Sequence, residues 1–185
     1  MSDIGKLSIR LLALAAFAGL ALGATNAITA APIKAQELQN AATARQTVLP
    51  EATTFDALTA TDGLTEAYIG RAADGTLAGK TGTILTQGFG GEIEVTVGMN
   101  MDNVITGVTV GGVNFKETAG LGAKAKDVAF TGQFTGKIAP IALKKDGGAI
   151  DAITSATISS NAVTQAVNHV VGVLTSLKAP EKEVG

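Results

Sequence analysis

The sequence predicts an α+β protein: one N-terminal transmembrane helix, then a small, mostly antiparallel sheet domain with a C-terminal helix. Three patterns carry that expectation. Leu11–Ala31 is a run of 21 residues without a charge. Segments between Tyr68 and Val110 alternate apolar and polar residues around turn signals, and the stretch 160–177 repeats apolar residues at spacings of three and four.

The charge-free run, LLALAAFAGLALGATNAITAA, would be roughly 31 Å long as a helix, about the hydrocarbon thickness of a bilayer. Lys6 and Arg10 precede it, which places the N-terminus in the cytoplasm and the rest of the chain outside. A cleaved secretory signal would share these features, with Thr25-Asn26-Ala27 as its small-residue cleavage site. The absence of charge as far as Ala31 and the helix-forming run that follows favour a retained anchor. Ala15, Ala16, Gly19 and Gly23 would let another membrane helix approach closely.

Ile33–Leu49 is rich in Ala, Gln, Glu and Leu and reads as a continuation of that helix into a stalk, which Pro50 stops. TTFDALTATDGL then reads as a loop leading into the domain. Tyr68–Arg71 and Gly82–Thr86 form a first hairpin about the Ala73-Asp74-Gly75 turn. Glu92–Val97 and Val104–Val110 form a second about Met99–Asn103, with Ile93, Val95 and Val97 on one face. Between the hairpins, QGFGGE is a glycine-rich joint whose plainest role is to bend the strand.

Asn114–Asp127 follows neither period, and its Gly120 and Gly122 allow the backbone to approach a ligand closely. DVAFTGQFTGK suggests a short helix with a turn, and IAPIALKKDGGAID a short strand with a turn at Gly147-Gly148. The final helix runs from about Ser160 to Leu177, with Val163, Val167, Val170, Val171, Leu174 and Leu177 as its buried stripe. Its β-branched residues lower its intrinsic propensity, so packing on the sheet must hold it. These readings divide the chain into 1–31 (N-terminus and membrane helix), 32–50 (stalk), 51–178 (domain) and 179–185 (tail).

Just ahead of that helix, Thr154, Ser155, Thr157, Ser159 and Ser160 crowd five hydroxyls into seven residues. Ser159 is the natural N-cap, with Ser160 helping to satisfy the first turn. The remaining Thr154-Ser155-Ala156-Thr157 lies where a helix dipole and free N–H groups favour a phosphate, and its small side chains let the anion come close.

Composition excludes much else. There is no cysteine, so thiolate zinc sites, iron–sulfur clusters, thioether-linked haem, disulfides and a lipoprotein anchor are ruled out within this chain. The single histidine, His169, sits mid-helix among valines and reads as structural rather than catalytic. A net charge of −2 with 14 scattered basic residues and 4% aromatics offers no footprint for nucleic acid. No G-x-G-x-x-G joins a strand to a helix, so nicotinamide binding is not expected here. No catalytic residue and no metal ligand is assigned.

Asp151, Ile153, Thr154, Ser155, Ala156, Thr157, Ser159, Ser160, Ala162 and Val163 follow the pattern D-x-I-[ST]-[SG]-A-T-x-S-S-x-A-V. That pattern resembles the signature of the FMN-binding domain family whose flavin is joined to threonine by a phosphoester. GFGGEIEVTVGMN resembles the family's strand opening. KETAGLG (Lys116–Gly122) resembles its K-E-T-P-G-L-G loop, with Ala119 in place of the usual proline and Phe115 in place of the common histidine. Glycine is usual where Ser155 stands. With one membrane helix and a stalk ending in V-L-P, the chain resembles over nearly its whole length the G subunits of Rnf electron-transport complexes.

The resemblance implies covalent FMN on Thr157, with Thr154, Ser155 and Ala156 lining the phosphate and Glu117, Thr118, Gly120, Leu121 and Gly122 beside the flavin ring. It implies an inner-membrane, single-pass flavoprotein whose FMN-binding domain faces outward. Such a protein relays electrons during ferredoxin:NAD electron transfer coupled to Na⁺ or H⁺ translocation. The implied partners are the A, B, C, D and E subunits of the Rnf complex, membrane lipid, and a flavin transferase during maturation. The rival readings are the C subunit of Na⁺-translocating NADH:quinone reductase, which shares the flavin motif, another flavinylated carrier outside the cytoplasm, and a non-redox membrane-anchored binding module.

Overall fold

In the computed structural model, which describes residues 3–177, helix α1 runs unbroken from Asp3 to Val48. The expected tail at 179–185 lies outside the described residues. Two compact units divide between Ala41 and Ala42. In the first, α1 is long and apolar enough to cross a membrane, and Leu14, Phe17, Leu20 and Leu22 are exposed around it. Thr25 and Thr29 donate their hydroxyls to the carbonyls of Ala21 and Thr25, each at 2.9 Å. This hides polar groups that an apolar surrounding would penalise.

The second unit begins in the last turns of α1. Five strands follow: β1 Thr54–Leu58, β2 Leu64–Arg71, β3 Leu77–Gln87, β4 Glu92–Asn100 and β5 Ile105–Gly111. They pair in chain order, each antiparallel to the next. Both expected hairpins are present with longer strands. β1 replaces the expected loop. It is an edge strand with mostly exposed side chains, so it lacks the half-buried alternation that betrays a strand in sequence. Ile93, Val95 and Val97 are fully buried on one face of β4, as the alternation predicts.

Beyond the sheet come a 3₁₀ turn at Gly122–Lys126, the short helix α2 Val128–Thr131, another 3₁₀ turn at Gly132–Phe134, and α3 Thr157–Ser176. The strand expected in IAPIALKKDGGAID is reduced to a single bridge between Leu143 and Ile150, because a 3₁₀ turn at Lys144–Asp146 interrupts it. α3 packs on the sheet with Val163, Val167, Val170, Val171 and Leu174 buried, the expected stripe. Asn168 ties the preceding loop to α3: its amide accepts the Ile141 N–H at 2.8 Å and donates to the Ile141 carbonyl.

The opposite face of the sheet is smoothed by glycines. Gly98 and Gly107 are cross-strand partners, as are Gly70 and Gly79. A Cβ on Gly98 would lie 2.3 Å from the Val48 carbonyl oxygen, and one on Gly107 would lie 2.9 Å from the Val48 Cα. Leu49 fills the space over Gly70 and Gly79. Val48 and Leu49 are fully buried there, and Thr106 donates its hydroxyl to the Val48 carbonyl. Arg45 pairs with Glu66 at 2.8 Å and stacks its guanidinium 4.1 Å from the Tyr68 ring centroid.

On the α3 side, Lys80 is buried, and its ammonium donates to the carbonyls of Leu174 (2.9 Å) and Leu177 at the C-terminal end of α3. Desolvation by burial holds its pKa below the ordinary 10.5.

Gly98→Val is expected to lower the melting temperature of the detergent-solubilised chain by roughly 10 °C, the effect of about 3 kcal/mol of overpacking. Gly111→Val, where an added Cβ meets nothing within 4 Å, is expected to move it by no more than about 2 °C. Circular dichroism melts of the two variants check the pair.

Lys80 yields a pH expectation. Its ammonium is penalised in the fold, so the wild type gains stability as pH rises through the lowered folded value toward 10.5. The stability of the wild type relative to Lys80→Met is therefore expected to increase between about pH 8 and about pH 10. Urea midpoints at the two pH values read it.

Candidate functional site

α3 starts with no side-chain cap. Its N-cap residue is Ala156, which has no oxygen on its side chain to offer, and the helix proper begins at Thr157. The expected cap residues lie inside the first turn instead, fully buried. Ser160 Oγ donates to the Ala156 carbonyl and accepts the Ile153 N–H, both at 2.9 Å. Ser159 Oγ donates to Glu117 Oε2 at 2.7 Å. Packing of the helix against the loop at 116–122 thus overrides the capping preference. The first-turn N–H groups, which have no partners within a helix, lie at the positive end of its dipole.

Ser155, at φ +61°, sits in the left-handed region that favours glycine. That turn carries the chain from Ile153 into the start of α3, and it explains why glycine suits this position. Thr157 follows at the first helical position with its side chain exposed.

A cavity of about 350 Å³ opens at this helix start. Glu117, Thr118, Leu121, Gly122, Ser155, Ala156 and Thr157, seven of the nine residues expected from sequence, line it together. The other two stand elsewhere. Gly120, at φ +78°, turns the loop without reaching the wall. Thr154 lines a neighbouring, more open cavity of about 280 Å³ with Lys124, Asp127 and Gln133.

Phe89 and Ile158 also line the main cavity and were not foreseen, as does Ser159, which was expected only as a cap. Both apolar residues left a trace in the sequence. Phe89 is a rare aromatic between two glycines, and it stands 69% exposed. Ile158 is an apolar residue off the buried stripe of its helix, 56% exposed. Together with Leu121 they give the mouth an apolar rim above a polar helix start, the combination that suits a flat aromatic ring carrying an anionic tail.

Glu117 is buried at the back of the cavity, between the Gly90 N–H and the Ser159 hydroxyl. His169 stands twelve residues beyond Thr157, about 18 Å along the helix axis, and hydrogen-bonds the Asp62 carbonyl at 2.6 Å. Among the described residues, no three His, Asp or Glu side chains gather as they would around a metal ion.

Residues 88–172, from the glycine joint through most of α3, match the FMN-binding domain family. The chain is 39% identical to the G subunit of the Na⁺-translocating ferredoxin:NAD⁺ oxidoreductase complex of Acetobacterium woodii, over 93% of this chain and 92% of that one. It is 32% identical to the G subunit of the ion-translocating oxidoreductase complex of Methanosarcina acetivorans, over 91% and 93% of the two chains. Among solved structures, the C subunit of the Na⁺-translocating NADH-quinone reductase of Parabacteroides distasonis has a similar fold. Its TM-score is 0.51 at 21% identity, covering 62% of this chain and 64% of that one. With relatives aligned over more than nine-tenths of its length, the chain belongs to the family of G subunits of ion-translocating oxidoreductase (Rnf) complexes.

Proposed function

We propose that this chain is the membrane-anchored flavoprotein of an Rnf complex, relaying electrons through FMN joined to Thr157 by a phosphoester. The observation that carries the reading is Thr157 itself, an exposed hydroxyl at the uncapped start of a 20-residue helix, on the wall of an apolar-rimmed cavity. The residues present fit the group. The first-turn N–H groups and helix dipole suit a phosphodiester, Ser155 and Ala156 leave it room, and Phe89, Leu121 and Ile158 suit the ring faces. Thr154, in the neighbouring cavity, would meet the phosphate from the other side of the 154–157 segment. Gly120 would shape the loop that brings Thr118 and Leu121 to the ring.

When bound, the flavin supplies one-electron transfer chemistry that no side chain of this protein offers. The chain's own part is to hold it, orient it and keep it from dissociating. Thr157 has no nearby histidine or cysteine to take its proton, and Glu117 is engaged with Gly90 and Ser159. Attachment therefore calls for help from outside the chain, and the family resemblance implies a separate flavin transferase using FAD and Mg²⁺. The working partners are the remaining A to E subunits, which hold the ferredoxin, NAD and ion-translocating chemistry.

Residues 1–31 form the single membrane span with its cytoplasmic start, and the stalk of 32–50 leads into the domain outside, which takes in the stalk's last turns from Ala42 and faces away from the cytoplasm. The charge bias of Lys6 and Arg10 supports that orientation, and a covalent bond suits a cofactor that would otherwise be lost to the exterior.

Thr157→Ala is expected to abolish covalent flavin in chain co-expressed with the transferase, while changing stability by less than about 0.5 kcal/mol, since Thr157 supplies no cap. Peptide mapping decides the site: flavin on Thr154 or Ser155 would overturn the assignment, and none anywhere in the wild type would overturn the flavoprotein reading. For topology, protease added to sealed spheroplasts is expected to digest the domain. Protection there, with digestion in inverted vesicles, would reverse the orientation.

A further inference from the structure

Glu117 is the buried acid that joins three separate pieces of chain at the cavity. Its Oε1 accepts the Gly90 N–H at 3.0 Å, and its Oε2 accepts the Ser159 hydroxyl at 2.7 Å. The side chain itself rises from the 116–122 loop, and the residue is only 9% exposed. Burying a carboxylate is costly unless donors meet it, so such a placement has to be specifically supported.

The glycines around it supply part of that support by leaving space. A Cβ on Gly122 would lie 1.9 Å from Glu117 Oε2, and one on Gly88 would lie 2.3 Å from Oε1. A Cβ on Gly90 would lie 2.2 Å from the Lys116 carbonyl oxygen, closing the approach of the two loops. Gly88, Gly90 and Gly122 thus share one purpose. They clear the volume that the carboxylate and its loop occupy.

We propose that Glu117 is the positioning residue of the flavin site. It draws the Ser159 hydroxyl inward, away from the helix end, and pins the 88–91 and 116–122 loops to the first turn of α3. The N–H groups of that turn stay open to the phosphate, and Phe89 and Leu121 are held together on the wall of the cavity. Glu117 acts through Ser159 and Gly90, and both of its oxygens are occupied by them. This inference rests on the flavoprotein reading and adds to it the residue that sets the geometry of the site.

The test uses the full-length, detergent-solubilised chain flavinylated by co-expression with the transferase, comparing wild type, Glu117→Ala and Glu117→Gln. Covalent flavin is read by in-gel fluorescence, ring immobilisation by fluorescence anisotropy and visible-region circular dichroism, and folding by the far-ultraviolet melt. In Glu117→Ala the flavin remains attached, but its visible dichroic band falls by about half or more and its anisotropy drops, as for a ring released from its loops. Glu117→Gln keeps both signals, because its amide accepts from Gly90 and pairs with Ser159. An unchanged band and anisotropy in a folded, flavinylated Glu117→Ala chain would overturn the proposal. Should that variant fail to fold, Ser159→Ala removes one of the two bonds, and wild-type flavin signals there would overturn it equally. Absence of covalent flavin from the wild type would instead sink the underlying flavoprotein reading.

Discussion

Ser159 and Ser160 stand in the first turn of α3, fully buried, with their hydroxyls bonded inward to Glu117 and to the 153–156 turn. The rest of the site depends on that direction. A serine at the N-cap position, three residues before Ser159, would accept a first-turn N–H and leave less for an anion. Here the cap position is an alanine, and the hydroxyls that sequence habit assigns to capping serve packing instead. The helix accepts a less stable start in exchange for an open one, the usual form of a stability–function compromise.

Two faces of one sheet carry two different tasks. The α3 face is an ordinary apolar core of branched aliphatic side chains, and Lys80 anchors the far end of the helix through its last carbonyls. The other face gives up side chains along a paired glycine seam, so that the backbone at Val48 and the Leu49 side chain lie directly on the strands. Arg45 adds a bridge and a ring contact at the sheet's second strand. The domain is thus built around the last turns of α1 rather than hung from them.

Much of this was legible in the residues. The charge-free run declares itself by its length, while the apolar residues of Glu92–Val97 and the valine stripe repeat with the period of their own elements, and burial follows that period. The motif segments also declared the cavity, since seven of nine expected residues meet there. What stayed hidden shares a cause: it depends on contacts distant in sequence. β1 is a strand only because β2 pairs with it. Ser159 leaves the helix end only because Glu117, 42 positions away, accepts its hydrogen bond. The strand glycines read as joints or weak points until the chain from α1 is laid across them. Thr154 and Ser155 are adjacent in the motif, yet the left-handed turn at Ser155 sends them to different cavities.

The glycine seam also shapes how this protein can change over generations. A crowded core pair usually offers an escape, because enlargement on one side can be offset by a smaller partner opposite. At Gly98 and Gly107 the nearest atoms encountered are the carbonyl and Cα of residue 48, which every amino acid possesses. No exchange at position 48 makes room, so a larger residue in the seam has no second-site remedy there. The two strand positions are held by a neighbour that mutation cannot shrink.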